Sequence, residues 1–461
     1  MSKNHKVLSF GIFFSSLIFA SFLAFFGCSD GGSDSSSPVT VSQPKQDGQG
    51  GNGKVEEKEK QGGNDSSRTI KLSDAPVGYA SVTAQTGTGT TVTTRAELLS
   101  AISKGGLIYI KGMIDMSEGM LPSEAGGSTS ALDAFVTSNE STFNSYADFK
   151  TKYAASCSSS TNDKSSSSPQ SLLGSKMWNL NRKYGDKIRI KLNSNTTIIG
   201  LKDAVIKGGC FKISNVSNVI IRNITVQDSY DPFPHHETGD GFNAQWDCIA
   251  IEDAETHDIW IDHCTFEDTM KYSKVKISDN SEEKWQNYDG LCDITKGAKN
   301  ITISNCIFKN HDKTMLIGSS SSDVSGGNIT IHHNRFLNCG QRLPLTAYPN
   351  MHIYNNSYER DSNAYYSQQA SIAARYGAYT IIAENNYFGE GVKYCISKST
   401  SPSGKCYEKG NVFTSRNEGT SSLATQSEKP FEISYSCTLD DASKIKEIVA
   451  ANAGAGCTLA D

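Results

Sequence analysis

Two nine-residue stretches, NITISNCIF (residues 300–308) and NITIHHNRF (residues 328–336), decide the fold of this 461-residue chain. Both alternate aliphatic with polar residues, which is typical of a short strand with one buried face. Related stretches begin at residues 218, 258, 350 and 380, so successive starts differ by 40, 42, 28, 22 and 30 residues. A strand that recurs once per turn, stacked about 4.8 Å from the previous copy, forms a parallel β-helix. The sequence therefore predicts an all-β chain, folded as a right-handed, single-stranded parallel β-helix.

Equivalent positions of the repeat are expected to stack on successive rungs, a rung being one turn of the coil. The stacked sets predicted in this way are an amide ladder of Asn334, Asn356 and Asn386, an aromatic column of Phe266, Phe308 and Phe336, and the buried cysteines Cys264 and Cys306. A β-sandwich is the rival fold. It would need hairpin turns of the Asn-Gly or Asp-Gly type, which are not found between these strands.

A helix is predicted just ahead of the repeats. The segment TTRAELLSAIS (residues 93–103) contains a capping box formed by Thr94 and Glu97, followed by an apolar stripe of Leu98, Leu99 and Ile102. We expect this short helix to cap the open N-terminal end of the coil. Residues 114–185 include the run CSSSTNDKSSSSPQ and are interpreted as a loose, Ser-rich insertion, and after residue 390 the repeat fades into a polar tail.

The N-terminal segment indicates export. Residues 7–27 form a long apolar run behind Lys3 and Lys6, typical of a signal peptide, with a single membrane anchor helix as the competing interpretation. Cys28 directly follows this run and resembles the lipid-modified cysteine of bacterial lipoproteins, so residues 1–28 are predicted to be a lipoprotein signal. Residues 29–76 are rich in Ser, Gly, Lys and Glu and are predicted to be a flexible tether, which leaves residues 77–461 as the folded domain. The protein is expected at the bacterial cell surface, as an outer-membrane lipoprotein or in secreted form.

Cysteine content and charge narrow the function further. Export permits disulfides, and Cys395 with Cys406, and Cys437 with Cys457, are candidate local pairs. No C-x-x-C spacing occurs, which argues against a zinc cluster. The net charge of −5 offers no basic surface for nucleic acid, and we expect a monomer with no nucleic-acid partner.

Five charged residues fall in the segments that lead into the repeated strands. Asp247 and Asp289 each lie 12 residues before the second position of a repeat, Asp293 follows Asp289 by four, and Lys313 and Arg342 lie in the corresponding segments of later rungs. One long face of the coil should therefore collect them. Carboxylates stacked at strand spacing repel each other unless a cation lies between them, and calcium accepts such oxygen ligands in flexible geometry. The alternative is that these aspartates are solvated turn residues.

The sequence resembles a known family over roughly residues 77–390. The segments WDCIAIEDAETHDIWIDHCTF, YDGLCDITKGAKNITISNCIFKNHDKTMLIGSS and NITIHHNRFLNCGQRLP are similar to polysaccharide lyase family 1, the calcium-dependent pectate lyases. The resemblance implies that Asp247, Asp289 and Asp293 bind Ca²⁺, that Lys313 binds substrate carboxylates, and that Arg342 is the catalytic base. The implied reaction is β-elimination on 1,4-linked polygalacturonate, in which a base removes the proton on C5 beside the carboxylate.

The chain departs from the family at one motif. Arg342 is the first arginine of the family pattern R-x-P-R-x-R, but the second and third arginines are replaced by Leu345 and Ala347. The third normally binds substrate carboxylate. We therefore predict that another cation, with Arg375 or Lys276 as candidates, replaces it.

Two questions stay open from the sequence. An arginine base is chemically awkward because guanidinium groups stay protonated in proteins. His311, His332 and His333 titrate in a more suitable range, although their places in or beside the repeated strands favour structural roles. A non-catalytic β-helical pectin-binding protein or adhesin is the alternative function, supported by the missing arginines, whereas a lyase for methylated pectin would not need the acidic cluster.

Overall fold

The computed structural model describes residues 68–158, 172–237, 241–271, 273–278, 281–396, 403–415 and 426–460. The predicted export signal, Cys28 and most of the predicted tether lie outside these residues. Among the described helices, none combines the length and the apolar character needed to cross a membrane.

Strands dominate the described chain. In chain order they are β1 (Thr69–Lys71), β2 (Thr90–Val92), β3 (Gly106–Ile110), β4 (Met113–Asp115), β5 (Arg189–Lys191), β6 (Thr196–Gly200), β7 (Val205–Lys207), β8 (Cys210–Ser214), β9 (Ser217–Arg222), β10 (Thr225–Gln227), β11 (His235–Glu237), β12 (Gly241–Asn243), β13 (Ile249–Glu252), β14 (His257–Asp262), β15 (Thr265–Glu267) and β16 (Ser273–Ser278). They continue with β17 (Ser281–Trp285), β18 (Cys292–Thr295), β19 (Lys299–Ser304), β20 (Ile307–Lys309), β21 (Leu316–Ile317), β22 (Gly327–His332), β23 (Arg335–Leu337), β24 (Leu345–Thr346), β25 (Met351–Tyr354), β26 (Ser357–Glu359), β27 (Ala373–Ala374), β28 (Thr380–Glu384), β29 (Tyr387–Phe388), β30 (Lys405–Lys409), β31 (Val412–Phe413) and β32 (Thr458–Ala460).

Helices are fewer and lie outside the repeats. They are α1 (Arg95–Lys104), α2 (Thr129–Asn139), α3 (Tyr146–Ser158), α4 (Leu172–Ile188) and α5 (Ile445–Asn452), with 3-10 turns at Ser123–Ala125 and Ala442–Lys444.

Three long parallel sheets form the walls of the coil. The ten-stranded sheet runs β2-β3-β6-β9-β14-β19-β22-β25-β28-β30, the nine-stranded sheet β31-β29-β26-β23-β20-β15-β10-β7-β4, and the seven-stranded sheet β27-β24-β21-β18-β13-β8-β5. A typical rung contributes one strand to each sheet, as in β14, β15 and β18 followed by β19, β20 and β21. The predicted parallel β-helix is confirmed.

The repeat register is the one that the sequence indicates. Ile259 pairs with Ile301, and Ile301 with Ile329, in the ten-stranded sheet. Inside the coil the rings of Phe308 and Phe336 stack with centroids 5.1 Å apart. The amide ladder is confirmed and extends one rung further, through Nδ2-to-Oδ1 hydrogen bonds of 3.0, 3.0 and 3.1 Å along the series Asn334, Asn356, Asn386 and Asn411. Cys264 and Cys306 are buried in the core, as expected.

The helix α1 has the predicted capping box. The Thr94 hydroxyl accepts a hydrogen bond from the backbone N–H of Glu97, and the Glu97 carboxylate accepts one from the backbone N–H of Thr94. Leu98 and Ile102 pack in the core of the coil, where α1 contacts β2, β3 and β5. Its role as a cap for the end of the coil stays a prediction.

The interpretation of residues 114–185 as a loose insertion is wrong for the part that the structure describes. Helices α2, α3 and α4 pack around their own aromatic core, which includes Phe135, Phe149 and Tyr184. This core continues onto the coil, where the helices contact β11 and β16 and share buried Phe242 and Trp285. Apolar residues at helical spacing, which the Ser-rich run obscures, explain the packing.

Both ends of the described chain differ from expectation. Strand β1 lies within the predicted tether, yet it pairs in parallel with β32, Thr69 opposite Thr458. The segment after residue 390 adds the rung strands β30 and β31 before α5.

The candidate disulfide between Cys437 and Cys457 is wrong because both thiols are free. Cys457 packs with Ile70 and Leu107, whereas Cys437 lies beside Tyr354 on a distant rung.

Candidate active site

The predicted site residues lie in or beside consecutive strands of the seven-stranded sheet. Asp247 precedes β13, Asp293 lies in β18, Lys313 precedes β21, Arg342 precedes β24 and Arg375 directly follows β27. Since β13, β18, β21, β24 and β27 are consecutive neighbours in this sheet, these residues are brought together as the sequence predicts.

Two carboxylates converge on Gly290. The backbone N–H of Gly290 donates to Asp247 Oδ1 at 2.7 Å, and the N–H of Leu316 donates to Asp293 Oδ1 at 2.9 Å. A Cβ atom at residue 290 would lie 2.4 Å from Asp293 Oδ1 and 2.8 Å from Asp247 Oδ1. Glycine is therefore required here, because any side chain would separate the two carboxylates.

The negative charge of the acidic cluster is only partly compensated by its neighbours. Burial raises the pKa of Asp247 well above its usual range, and the charges of Asp293 and Asp289 raise it further. Burial and Asp289 raise the pKa of Asp293 to about 7, although the Arg342 guanidinium opposes this shift. A cation among the three carboxylates would relieve the repulsion.

The donor set fits calcium in chemistry and charge. Carboxylate oxygens are the ligands that Ca²⁺ prefers, with backbone carbonyls and waters completing its coordination. In the described part of the chain, however, no three His, Cys, Asp or Glu side chains are already spaced as a ligand set. One carboxylate of the cluster already has a partner, since Asp289 Oδ1 accepts a hydrogen bond from Lys313 Nζ at 3.3 Å.

Lys313 is fixed beside the acidic cluster. Its side chain is 10% exposed, and its ammonium also lies 3.5 Å from Asn243 Oδ1. Asn243 ends strand β12 and is a site residue that the sequence analysis missed. The only sequence feature that could have identified Asn243 is its position in GFNAQWD, four residues before Asp247.

Arg342 and Arg375 form a pair of neighbouring guanidinium groups. Burial lowers the pKa of Arg375, and the charge of Arg342 lowers it further. Both Nε atoms are buried, and neither has a hydrogen-bond partner within the described residues. Arg342 also adopts a left-handed backbone conformation, with φ of 60°. Their uncommitted donors make both side chains available to a carboxylate ligand.

Arg375 lies next to the position where the family arginine is missing. Strand β24 pairs with β27, Thr346 opposite Ala374, and the N–H of Arg375 donates to the Thr346 carbonyl at 2.8 Å. Arg375 is therefore one rung beyond buried Ala347. For Lys276, the other candidate, the side chain lies outside the described part of the chain.

The three histidines make contacts within the protein that favour structural roles. Buried His311 contacts the Asp268 carboxylate through Nδ1 and the Asp289 carbonyl through Nε2, both at 2.7 Å. Burial opposes protonation of His311, but Asp268 and that carbonyl raise its pKa overall. His332 ends β22 of the ten-stranded sheet, on another wall of the coil from Arg342, and its ring lies against that of His333.

Comparisons with known proteins identify the family of this chain. A family model described as pectate lyase matches residues 73–458. Pectate lyase E of Dickeya chrysanthemi is 37% identical over 207 residues, covering 43% of this chain and 50% of the relative. The pectate lyase of Bacillus subtilis is 34% identical over 293 residues, covering 59% and 64% of the two chains. The chain thus spans about half to two thirds of the length of these relatives.

A solved structure supports the fold over a larger share of the chain. A pectate lyase bound to a hexasaccharide is 29% identical with a TM-score of 0.66, covering 81% of this chain and 93% of the other.

Proposed function

This chain belongs to the pectate lyase family, and from that premise we propose that it cleaves 1,4-linked polygalacturonate by calcium-assisted β-elimination. One observation supports this more than any other. The acidic cluster of Asp247, Asp289 and Asp293 lies on neighbouring rungs with Lys313, Arg342 and Arg375, in or beside the strands of the seven-stranded sheet. A non-catalytic adhesin has no evident use for clustered carboxylates beside guanidinium groups whose buried Nε atoms have no hydrogen-bond partner among the described residues.

The cationic side chains match the charge that develops in the reaction. Removing the C5 proton next to a carboxylate creates a dianionic, enolate-like group, so fixed positive charge beside that carboxylate lowers the barrier. Lys313 is already fixed beside the cluster by Asp289 and Asn243. In this proposal Arg342 takes the proton, and Arg375 binds a neighbouring carboxylate in place of the missing family arginine.

The proximity of the two guanidinium groups bears on the arginine base. Arginine side chains stay protonated in ordinary surroundings. Here burial and the neighbouring charge of Arg342 lower the pKa of Arg375. The assignment of Arg342 as the base comes from the family resemblance, and the kinetics of an Arg342 variant test it.

Asp247, Asp289 and Asp293 are the residues that would bind calcium. When bound there, calcium supplies a Lewis acid that withdraws electron density from the substrate carboxylate. Because a carboxylate has two oxygens, Asp289 could bind the ion while its Oδ1 still accepts a hydrogen bond from Lys313 Nζ.

The proposed setting is the cell surface. The apolar run at residues 7–27, Cys28 and the Ser/Gly-rich segment that follows support export and lipid attachment, with pectin outside the cell as the partner. We propose that the folded domain acts as a monomer. Mass spectrometry of the protein isolated from the cell surface tests the anchor, and we expect it to detect a lipid attached to Cys28.

Release of unsaturated uronate from polygalacturonate, followed by ultraviolet absorbance, tests the activity. We expect product with calcium, and loss of product with a chelator that returns when calcium is restored. An Asp293→Asn variant should be folded and inactive, because it removes a proposed ligand while keeping the side-chain shape. Binding of pectin by folded wild-type protein that releases no product would instead support the adhesin.

A further inference from the structure

A cavity lies among the segments that connect the nine-stranded sheet with the seven-stranded sheet, as the segments of the acidic cluster do. Its volume is about 460 Å³, and its walls are Asp268, Thr269, Met270, Lys271, Asn310, Ser362, Asn363, Ala364, Tyr365 and Tyr366. These residues belong to the segments that follow β15, β20 and β26, all strands of the nine-stranded sheet. Each segment leads on towards the seven-stranded sheet, as do those that contain Asp289, Lys313 and Arg342.

One side chain connects the cavity to the proposed catalytic centre. Asp268 lines the cavity and contacts His311 Nδ1, while His311 Nε2 contacts the backbone carbonyl of Asp289. A single imidazole therefore separates the cavity wall from a proposed calcium ligand. A polymer lying along this face would pass both places.

The chemistry of the cavity suits an anionic sugar. The Lys271 ammonium lies 4.3 Å from the centroid of the Tyr365 ring, and the Tyr365 residue is 47% exposed. Within the part of the chain that the structure describes, Lys271 forms no ion pair, so its charge is available to a ligand carboxylate. An exposed aromatic ring beside a cation offers both an apolar face and a charge.

The remaining walls can accept and donate hydrogen bonds. Asp268 Oδ1 is buried and has no hydrogen-bond partner among the described residues, and the amide side chain of Asn310 lines the cavity beside it. A carboxylate oxygen without a partner can accept a hydrogen bond from a ligand hydroxyl, whereas it would repel an anionic ligand that has no hydroxyl groups. The combination favours a unit with one carboxylate, several hydroxyls and an apolar face. A pocket of this volume is large enough for one or two sugar units.

We propose that this cavity is a distal subsite that binds a uronate unit of the polygalacturonate chain whose scissile bond lies at Arg342. Lys271 binds the carboxylate of that unit, Tyr365 packs on its ring, and Asp268 accepts a hydroxyl hydrogen bond. The inference rests on the proposed function for the identity of the polymer. The subsite would make the protein favour long, unesterified stretches of pectin.

The test compares Lys271→Ala with wild type on galacturonate oligomers of increasing length and on polygalacturonate. Loss of one charge-assisted hydrogen bond should raise KM about tenfold for substrates long enough to reach the cavity. KM for the shortest cleaved oligomers should stay unchanged. Lys271→Arg should restore most of the affinity, and Tyr365→Ala should raise KM with the same dependence on length. Lys299→Ala, which removes an exposed lysine on the ten-stranded sheet, is the matched control.

Two results would overturn the subsite. One is an unchanged KM for every length of substrate in Lys271→Ala. The other is an equal rise in KM for short and long substrates, which would place Lys271 at the catalytic centre.

Failure of the proposed function would look different, because wild type itself would release no product. In that case calorimetric titration of a long galacturonate oligomer into wild type and Lys271→Ala decides about the subsite. Weaker binding by the variant supports it, and equal binding, or none by either protein, refutes it.

Discussion

At the scale of single residues, the site depends on how the chain compensates for a missing arginine. Leu345 and Ala347 are uncharged, and Ala347 is buried against Gly318 on the preceding rung. The sequence offers Arg375 as one of two candidate substitutes, with Lys276 as the other. The pairing of β24 with β27 shows why Arg375 qualifies, since it places Arg375 one rung beyond Ala347, and Arg375 is close enough to Arg342 for that charge to lower its pKa.

Removing Arg375 should weaken substrate binding. We expect Arg375→Ala to raise KM for polygalacturonate about tenfold, because a charge-assisted contact to one carboxylate is lost. Steady-state kinetics with Arg182→Ala, an exposed arginine of α4, as the control would measure this. An unchanged KM would show that Arg375 does not replace the family arginine.

Arg342 should have a different kinetic signature. Arg342→Lys keeps a positive charge but moves the nitrogen that would face C5, so kcat should fall on the order of a hundredfold or more while KM changes little. The measurement is initial rate against substrate concentration on protein whose circular dichroism matches wild type. A fall confined to KM would reassign Arg342 as a carboxylate-binding residue.

Asp262 should make stability depend on pH. Its carboxylate is buried and accepts hydrogen bonds from Arg222 Nε at 2.8 Å and Asn305 Nδ2 at 3.0 Å. Burial opposes ionisation, but His263, Arg222 and Asn305 together hold the pKa of Asp262 well below its ordinary value of 3.8. Because the folded state binds this proton more weakly than the unfolded state, the stabilisation is complete above about pH 4 and is lost as pH falls.

Asp262→Asn is therefore expected to lower the free energy of unfolding by about 1–3 kcal/mol at neutral pH, since Arg222 loses its buried carboxylate partner and keeps only the partly exposed Asp74. The difference from wild type should shrink below about pH 4. Urea unfolding at several pH values would measure it, with Asp203→Asn in an exposed turn as the control. A difference that stays constant with pH would contradict the assignment.

At the scale of elements, the repeat could be predicted because each rung repeats the same local chemistry. The alternation of apolar and polar residues predicts the strands. Asn334 and Asn356 occupy the same position of the repeat, and this predicts the register of the strands from the sequence alone. The helices α2 to α4 could not be predicted with the same ease. Their packing depends on Phe233, Phe242 and Trp285, which come from distant segments, and their apolar stripes flank a Ser-rich run.

The amide ladder should contribute strongly to stability. Asn356 is fully buried, and its Oδ1 accepts from both the backbone N–H and the side chain of Asn334. Asn356→Ala would leave that N–H unsatisfied inside the coil, at a cost of about 2–4 kcal/mol in the free energy of unfolding. Chemical denaturation beside the exposed control Asn144→Ala would show the difference. Equal stability of the two variants would mean that water replaces the lost amide.

At the scale of the whole molecule, the seven-stranded sheet gathers charges that are far apart in sequence. Counting residues back from each repeat predicted that Asp247, Asp289 and Asp293 share one face. Counting could not predict that Asp289 binds Lys313, or that β12 brings Asn243 to the same ammonium, because loop conformation decides both contacts.

Calcium should stabilise the folded domain. Ligand that binds the folded state alone raises the apparent free energy of unfolding, by about 2.7 kcal/mol at a hundredfold excess over Kd. We expect calcium to raise the midpoint of thermal unfolding of wild type and to leave that of Asp293→Asn nearly unchanged. Differential scanning calorimetry, with magnesium as the comparison ion, would measure both. An equal rise in the two proteins would place calcium elsewhere.

The pairing of β1 with β32 has a consequence for the connectivity of the domain. In a parallel pair of three residues, the start of β1 and the end of β32 are separated by about 10 Å along the strands. A short linker that joins these two ends would close the folded part into a ring of polypeptide. New chain ends could then be made at an exposed turn such as residues 86–88. A circularly permuted protein of this kind would keep every rung, and fusion partners joined at the start of β1 and at the end of β32 would leave this strand pair at its opposite ends.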